Sequence, residues 1–403
     1  MSSHLPRIGR RGLLLGLTAM AATANARLAF AETPLVPTAT DNRLVVVILR
    51  GAMDGMAALA PYGDARYREL RGPIALAEPG QEGGLLDCGG FFGLNPRLEN
   101  FHRFFAEGSL LPIHAIAGPY RNRSHFEAQD MLESGAPQRL TSGWLNRALQ
   151  GLPDAPADQP ETGLVVGLDL PLLMRGPHAV GMWAPPRPVR PPPDLYARMA
   201  DVLHADPLLG PAVEEGLRGR GYATSVLSGE PPPRGGFVAL AASAGKLLAA
   251  PHGPRVAAME IGGWDTHADQ ARRLDPVLVQ LDQGLAAMRG QLGDVWSRTA
   301  ILVMTEFGRT ARANGNNGTD HGTGGAAFLL GGAVQGGRVL ADWPGLAEGQ
   351  LFEKRDLQPT RDLRAIAKGL LRDHLRLPES TIAAAFPGAG DVGAEGGLVR
   401  GVA

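Results

Sequence analysis

Short apolar runs that do not alternate with polar residues recur along the chain and predict buried strands. They are "LVVVIL" (44–49), "LLPIHAIA" (110–117), "RVAAMEI" (255–261), "TAILVMT" (299–305) and a fifth run over 326–330. Strands that are covered on both faces have this pattern, whereas strands with one face in water alternate. We therefore expect a sheet with helices packed against both faces.

Helical periodicity lies between these runs. Leucine recurs at positions 274, 278, 281 and 285 within 269–292, and phenylalanine recurs on one helical face within 97–107. Strands that alternate with helices along a chain favour an α/β fold with a mainly parallel central sheet. The pattern thus predicts a three-layer α/β sandwich.

The N-terminal segment has the features of an export signal. Arg10 and Arg11 precede a short alanine-rich apolar run, and "AFA" (29–31) supplies a small-residue cleavage site. The run is shorter than the ~20 residues that span a bilayer, which argues against an anchor. The arginine pair resembles a twin-arginine signal. We expect residues 1–31 to be removed, with export machinery as the partner of the precursor and a periplasmic or secreted mature protein.

Length and composition limit the domain organisation and the kinds of partner that we expect. About 370 residues remain after the signal, enough for a single α/β domain over 32–403, and proline-rich stretches mark an insertion or cap near 184–236. Cys88 is the only cysteine, so no intrachain disulfide forms, and the net charge of −1 argues against nucleic acid as a partner. No later segment is apolar enough for a stable membrane span, and the glycine-rich tail from residue 388 is expected to be poorly ordered.

Acidic residues and a histidine follow three of the predicted strands. Asp54 follows the first run, Asp265 and His267 follow the third, and Glu306 and Arg309 follow the fourth. One aspartate after a strand is usually a turn or helix-cap residue. Open α/β sheets, however, bind ligands at the carboxyl ends of their strands, and three such strand ends together indicate a site.

The glycine-rich stretch "NNGTDHGTGG" places Asp320 and His321 just before the fifth run. Taken alone, this pair could be the tip of a surface turn. Together with the acids at the strand ends it provides carboxylates and imidazoles, a mixture that suits zinc, manganese or a similar divalent ion better than calcium. We predict such an ion here.

The segment "YRNRSHFEAQD" predicts a helix that begins near Ser124, because Ser124 and Glu127 form an S-x-x-E capping box. Ser124 could be only the N-cap, or it could be catalytic, since a helix N-terminus attracts phosphate or sulfate and Arg123 adds positive charge. Arg50 and Arg309 could clamp an anionic substrate or could neutralise the acids.

The motifs "LRGAMDG", "PYRNRSHFEAQDMLESG", "GGWDTHADQ", "MTEFGRT" and "GTDHGTGG", in this order, resemble the domain-of-unknown-function 1501 family over residues 44–372. This resemblance implies the alkaline-phosphatase and sulfatase superfamily, whose members hold one or two divalent metals at strand ends. It implies an alkaline-phosphatase-like three-layer sandwich with Ser124 at the position of the nucleophile. The metal ligands that it implies are Asp54, Asp265, His267, Glu306 and His321.

The sequence departs from the superfamily pattern in two places. Phe307 follows Glu306 where a second histidine is usual, and Asp265 and His267 are closer together than in the Asp-x-x-x-His of the phosphatases. His125 or Asp320 could supply the missing ligand, or only one metal could be present.

Two functions follow as hypotheses. The first is an exported metal-dependent hydrolase of small anionic phosphate or sulfate esters, in which the ion activates Ser124 or a water. The second is a non-catalytic exported binding protein on the same scaffold, which the phenylalanine at position 307 favours. The oligomeric state has no signal in the sequence.

Overall fold

The structure is a computed structural model that describes residues 41–153, 161–185, 202–203, 206, 209–227 and 236–401. The predicted signal at 1–31 and most of the proline-flanked segment at 184–236 lie outside these ranges. The chain divides into two units, which are Met1–Thr38 with Pro188–Glu214, and Ala39–Arg187 with Glu215–Ala403. All the strands belong to the second unit, which is the one described below.

The strands in chain order are β1 (Arg43–Arg50), β2 (Leu59–Ala60), β3 (Leu86–Asp87), β4 (Gly93–Leu94), β5 (Leu110–Ala117), β6 (Gly163–Val166), β7 (Gly181–Trp183), β8 (Val256–Gly262), β9 (Thr299–Thr305), β10 (Gly325–Leu330) and β11 (Arg361–Asp362). Eight of them form one sheet in the order β11-β5-β10-β9-β1-β8-β6-β7, and β2, β4 and β3 form a small second sheet. In the large sheet, β10 is antiparallel to β5 and β9, and the other described pairs are parallel. The mainly parallel sheet is confirmed.

The α-helices are α1 (Gly55–Ala58), α2 (Tyr67–Arg71), α3 (Glu99–Ala106), α4 (His125–Ser134), α5 (Trp144–Ala148), α6 (Leu209–Val226), α7 (Gly236–Ala249), α8 (Gln270–Leu292), α9 (Leu363–Gly369) and α10 (Glu379–Ala385). A π-helical turn, Leu370–His374, follows α9 directly. None of the helices in the described ranges is both long and apolar enough to cross a membrane.

Alternate residues of β1 point into two separate cores. Val45 and Val47 pack with α3, α7 and α8, while Leu44 and Val46 pack with α5, α9 and α10 on the opposite face. All four are fully buried, which explains the absence of polar positions from the strand. The three-layer α/β sandwich expected from the sequence is confirmed.

Helix α8 follows the leucine repeat that predicted it. Leu274, Leu278, Leu281 and Leu285 are all at most 2% exposed. They join the core that also contains α7. Replacing one such leucine with alanine costs about 2–5 kcal/mol, because it removes buried apolar surface and leaves a cavity. The repeat therefore anchors the helix that begins beside the loop after β8.

The direction of β10 brings five loops together. The loops after β1, β5, β8 and β9 leave the carboxyl edge of the sheet, and an antiparallel strand starts at that same edge. The loop that precedes β10 therefore meets the loops that follow the parallel strands. This explains how "TDHG", which comes before its strand, reaches the same place as motifs that come after theirs.

The glycine-rich tail is ordered against the sheet unit, contrary to the expectation. Leu398 is fully buried, its carbonyl accepts a hydrogen bond of 2.9 Å from the Gln335 amide, and Val399 bridges to Val334. The few apolar residues of the tail determine where it packs. The high glycine content of the tail gave no indication of this.

Candidate metal centre

Three histidines from three different loops bring their Nε2 atoms together. His125 begins α4 after β5, His267 follows β8, and His321 precedes β10. Nε2 of His321 lies 3.0 Å from Nε2 of His125 and 2.9 Å from Nε2 of His267. We call these three side chains the imidazole cluster.

Asp265 places a carboxylate beside the imidazole cluster. Its Oδ1 lies 3.0 Å from Nε2 of His267 and 3.4 Å from Nε2 of His321. Its Oδ2 lies 3.7 Å from Nε2 of His125. His125, Asp265 and His321 offer ligand atoms that all lie within 4.8 Å of one another.

Two carboxylates hold the other side of the rings. Nδ1 of His125 lies 2.8 Å from Oε1 of Glu306, and Nδ1 of His267 lies 3.1 Å from Oδ1 of Asp320. Burial opposes the charge on Glu306, but hydrogen bonds from His125 and Gln129 outweigh it and lower the pKa of Glu306 to about 2. An ionised carboxylate only accepts hydrogen bonds, so both Nδ1 atoms carry the proton.

The third ring is fixed by the backbone. Nδ1 of His321 lies 3.0 Å from the carbonyl oxygen of Arg123, which also can only accept. In the neutral form, all three rings therefore present an unprotonated Nε2 toward one another, and that of His267 also lies 3.4 Å from Nη1 of Arg309. Such lone pairs repel at about 3 Å unless a cation lies between them, so the donor set fits a divalent ion. Acceptors on the far nitrogen are the usual supports of metal-binding histidines.

Arg309 supports Asp265 from a fully buried position. Nη2 donates to Asp265 and also to the Gly51 carbonyl at 2.6 Å, while Nε donates to the Ala52 carbonyl at 2.7 Å. Burial works against the Asp265 carboxylate, and the Arg309 guanidinium more than compensates, so the pKa of Asp265 is lowered. Of the two roles expected for Arg309, the geometry favours charge neutralisation over a clamp on substrate.

Asp54, expected as a metal ligand, lies elsewhere. It is 1% exposed and caps α1, where Oδ1 accepts from the Ala57 amide at 3.1 Å. Its Oδ2 is bound by Arg71 and by Nε2 of Gln270, at 2.7 Å in the latter case. These partners occupy both oxygens. The structure therefore supports the role of Asp54 as a helix cap.

Glu306 and Asp320, also expected as ligands, contact the imidazole rings from behind. Each contacts the Nδ1 side of a ring and not the Nε2 side where the lone pairs meet. Oε1 of Glu306 also accepts from the Gly51 amide at 2.9 Å and from Gln129 at 2.9 Å. The two carboxylates therefore orient the imidazoles and hold their protons.

Ser124 precedes α4 as predicted, but the capping box does not form. No side-chain hydrogen bond from Ser124 caps the helix, and Glu127 accepts from the Tyr120 hydroxyl instead. Ser124 was expected to be an N-cap, a nucleophile or both, and its hydroxyl does not act as an N-cap.

Arg123 is tied down away from the cluster. Its Nε donates to Oδ2 of Asp356 at 2.8 Å, and Nη2 lies 2.5 Å from Glu353. Its backbone has a φ of 62°, in the left-handed region that non-glycine residues seldom adopt. This conformation accompanies the carbonyl contact to His321, so the backbone of Arg123 serves the cluster more directly than its side chain. Arg50 is likewise engaged, by Glu133 and Glu260.

Phe307 fills the place where a second histidine was expected. It is 3% exposed, and its ring centroid lies 4.9 Å from that of His125 and 5.2 Å from that of His321. His125 supplies an imidazole from another loop, one of the alternatives that the sequence left open. Its position next to the predicted helix start was the available signal.

Glycines allow the loops around the cluster to touch. A Cβ on Gly308 would lie 1.9 Å from the Gly324 carbonyl oxygen, and a Cβ on Gly318 would lie 2.3 Å from the His267 carbonyl carbon. Neither distance is possible for a real side chain, so these two positions require glycine. The loops after β8 and β9 are thereby packed against the loop before β10.

A comparison with protein families supplies the class to which this chain belongs. Residues 115–386 match the family described as "Protein of unknown function (DUF1501)", and the chain is a member of it. The match includes the whole imidazole cluster and Asp265, whereas Asp54 lies outside it. The family expected from the motifs is confirmed. A search of curated proteins found no match.

Proposed function

We propose that this protein is a metal-dependent hydrolase of phosphate or sulfate esters with an alkaline-phosphatase-like fold. The observation that carries the proposal is the convergence of three Nε2 atoms, each from a ring with an acceptor at its Nδ1. The imidazole cluster and Asp265 would hold a zinc, manganese or similar ion. Such an ion supplies Lewis-acid stabilisation for charge that develops on the ester oxygens.

The protein's own residues supply orientation and charge. Glu306 and Asp320 keep the Nδ1 protons in place, so that the Nε2 lone pairs stay available. Arg309 offsets the negative charge of Asp265 without facing solvent. Ser124 is the candidate nucleophile, because it directly precedes His125 at the start of a ten-residue helix, where free N–H groups favour an anionic ester.

Export belongs to the same proposal. The arginine pair at positions 10 and 11, the short apolar run and the small-residue cleavage site support a twin-arginine signal. The mature protein would then act in the periplasm or outside the cell, on small esters available there.

Two observations favour a second candidate, an exported binding protein without catalysis. Phe307 is buried against two rings of the cluster, and the Arg309 side chain is 0% exposed. An apolar side chain thus stands where the phosphatases place a ligand, and the arginine nearest the cluster does not reach toward a substrate. A centre of this kind could hold an ion only to stabilise a binding surface.

Hydrolysis assays separate the two candidates. The mature protein, loaded with zinc or manganese, is assayed with 4-nitrophenyl phosphate, bis(4-nitrophenyl) phosphate and 4-nitrophenyl sulfate. The hydrolase proposal expects turnover that is lost in Asp265→Asn and kept in His102→Ala, whose half-buried ring lies outside the cluster and hydrogen-bonds to the Asp87 carbonyl at 2.9 Å. Metal-loaded protein that hydrolyses none of the three would favour the binding protein.

A further inference from the structure

A cavity of about 500 Å³ lies next to the imidazole cluster. Its volume falls within the ~300–1,000 Å³ typical of small-molecule pockets. Asp320 belongs to its wall, and that side chain contacts Nδ1 of His267 at 3.1 Å. The side chains of Asp320 and His267 are 51% and 43% exposed. Both therefore reach the surface at the point where the cavity adjoins the imidazole cluster.

A second wall residue connects the cavity to the cluster. Arg355 lines the cavity, and its Nη2 donates to the backbone carbonyl of His321 at 2.9 Å. The same guanidinium lies 3.3 Å from Asp356, which also binds Arg123. Asp356 thus contacts both arginines, and the Asp320 carboxylate also interacts with the positive charge of Arg355.

The lining combines apolar and cationic parts. Leu70 and Leu346 are 7% and 2% exposed and form apolar wall together with Leu351. The charged lining residues other than Asp320 are Arg66, Glu69, Arg312, Glu348, Lys354 and Arg355. A ligand that fits this lining has an apolar body and an anionic group.

The charges of the lining do not cancel. Arg66 pairs with Glu69 at 2.5 Å and Lys354 lies 3.5 Å from Glu348, both exposed pairs of small energetic weight. Arg312 is exposed and has no side-chain hydrogen bond or ion pair with the described part of the chain. A guanidinium without such a partner presents a planar fork that matches the oxygens of phosphate, sulfate or sulfonate.

We propose that this cavity binds the non-reacting part of the substrate, an organic group that carries its own oxyanion, with Arg312 as the principal contact. The inference rests on the proposed hydrolase function and adds the class of ester: a compound with a second acidic group remote from the bond that is cleaved. Specificity for the ester would then come from Arg312 and Arg355, and not from the cluster.

Calorimetric titration with naphthalenesulfonate tests the inference. This probe joins an apolar body to an oxyanion and has no ester bond to cleave. The mature chain, both zinc-loaded and chelator-treated, should bind it, and Arg312→Ala should weaken binding about tenfold by removing a charge-assisted contact. Arg338→Ala is the matched control, because Arg338 is exposed and lies outside the cavity, and its only side-chain bond within the described residues is to the Gly397 carbonyl.

Each result assigns the failure to one proposal. Equal affinities of Arg312→Ala and Arg338→Ala, or no binding by the unchanged chain, overturn the cavity assignment. Binding that requires zinc places the probe at the ion, which also overturns the cavity assignment but leaves the hydrolase proposal standing. Binding that depends on Arg312 in a protein that takes up no ion supports the anion site and overturns the hydrolase.

Discussion

At the scale of single residues, the account depends on which nitrogen of each imidazole carries the proton. Glu306 determines this for His125, since an ionised carboxylate on Nδ1 leaves Nε2 as the only lone pair. Removing such a support lowers metal affinity about 10–100-fold in comparable centres.

We expect Glu306→Gln to weaken zinc binding within that range, measured by competition with a chromogenic chelator. Glu82→Gln, a change of the same type at an exposed position, should bind zinc as the unchanged chain does, and equal affinities of the two variants would contradict the support role.

Ser124 can be tested apart from helix stability. An N-cap serine that bonds to the helix contributes ~1 kcal/mol, but this side chain makes no cap hydrogen bond. Ser124→Ala should therefore change the free energy of unfolding by less than about 0.5 kcal/mol and abolish ester hydrolysis. Ser124→Asp, which keeps a good cap residue but lacks the hydroxyl, should also be inactive. Hydrolysis near the original rate in either variant rules out Ser124 as the nucleophile.

The positions of the acidic residues could be predicted from the sequence better than the contacts that each of them makes. Asp265 and Glu306 follow buried strands, so their arrival at one edge of the sheet could be predicted from the apolar runs. Whether a carboxylate meets Nε2, Nδ1 or an arginine depends on side-chain direction and on partners far away in the chain. Asp54 shows the limit, because its partner Arg71 lies in a helix that no motif marked.

At the scale of elements, β10 is the strand on which the site depends. Its run predicted a buried strand, but nothing in an apolar run reports direction, and the antiparallel pairing with β5 and β9 was not foreseen. That direction places His321 at the edge where His125 and His267 arrive. The contribution of the "TDHG" loop therefore follows from topology more than from its glycines.

The π-helical turn after α9 makes stability depend on pH. His374 ends this turn, and its Nε2 donates to the Arg43 carbonyl at 2.8 Å at the start of β1. Burial, with Arg255 and Arg376 nearby, lowers the pKa of His374 from 6.5 to about 4. As pH falls below 6.5, the unfolded chain takes up a proton that the folded chain does not, so this contribution to stability is complete above pH 6.5 and is lost toward pH 4.

His374→Gln isolates this effect, since the Gln amide can still donate to the Arg43 carbonyl but does not titrate. Between about pH 7 and pH 5, we expect the free energy of unfolding of the unchanged chain to fall by about 2 kcal/mol more than that of the variant. Urea unfolding at the two pH values measures the difference. Identical pH slopes would show that His374 is protonated as readily in the folded state as in the unfolded one.

At the scale of the whole molecule, the fold class was predictable because many segments along the chain indicate it. Non-alternating apolar runs separated by a leucine-repeat helix require two covered sheet faces, and both cores are present. The proline-flanked segment at 184–236 lies largely outside the described residues, so its expected role as an insertion or cap stays a prediction. Prolines indicate an extended connector there, but they do not encode what it contacts.

Export is a property of the full precursor. Changing Arg10 and Arg11 together to lysine should leave the precursor in the cytoplasm, because the paired guanidinium groups are what a twin-arginine receptor reads. Fractionation of cells followed by detection of precursor and mature forms measures this. Mature protein in the periplasm at the usual level would rule out the twin-arginine route.

The metal content of the mature protein tests the central claim most directly. After reconstitution with zinc or manganese and removal of free ions, elemental analysis should find at least one divalent ion per chain. Asp265→Ala combined with His267→Ala should lower both the metal content and the melting temperature, because an ion that binds only the folded state stabilises it. His102→Ala should retain both. A chain that takes up neither ion, or a double variant that holds as much metal as His102→Ala, contradicts the assignment of the imidazole cluster as a metal centre.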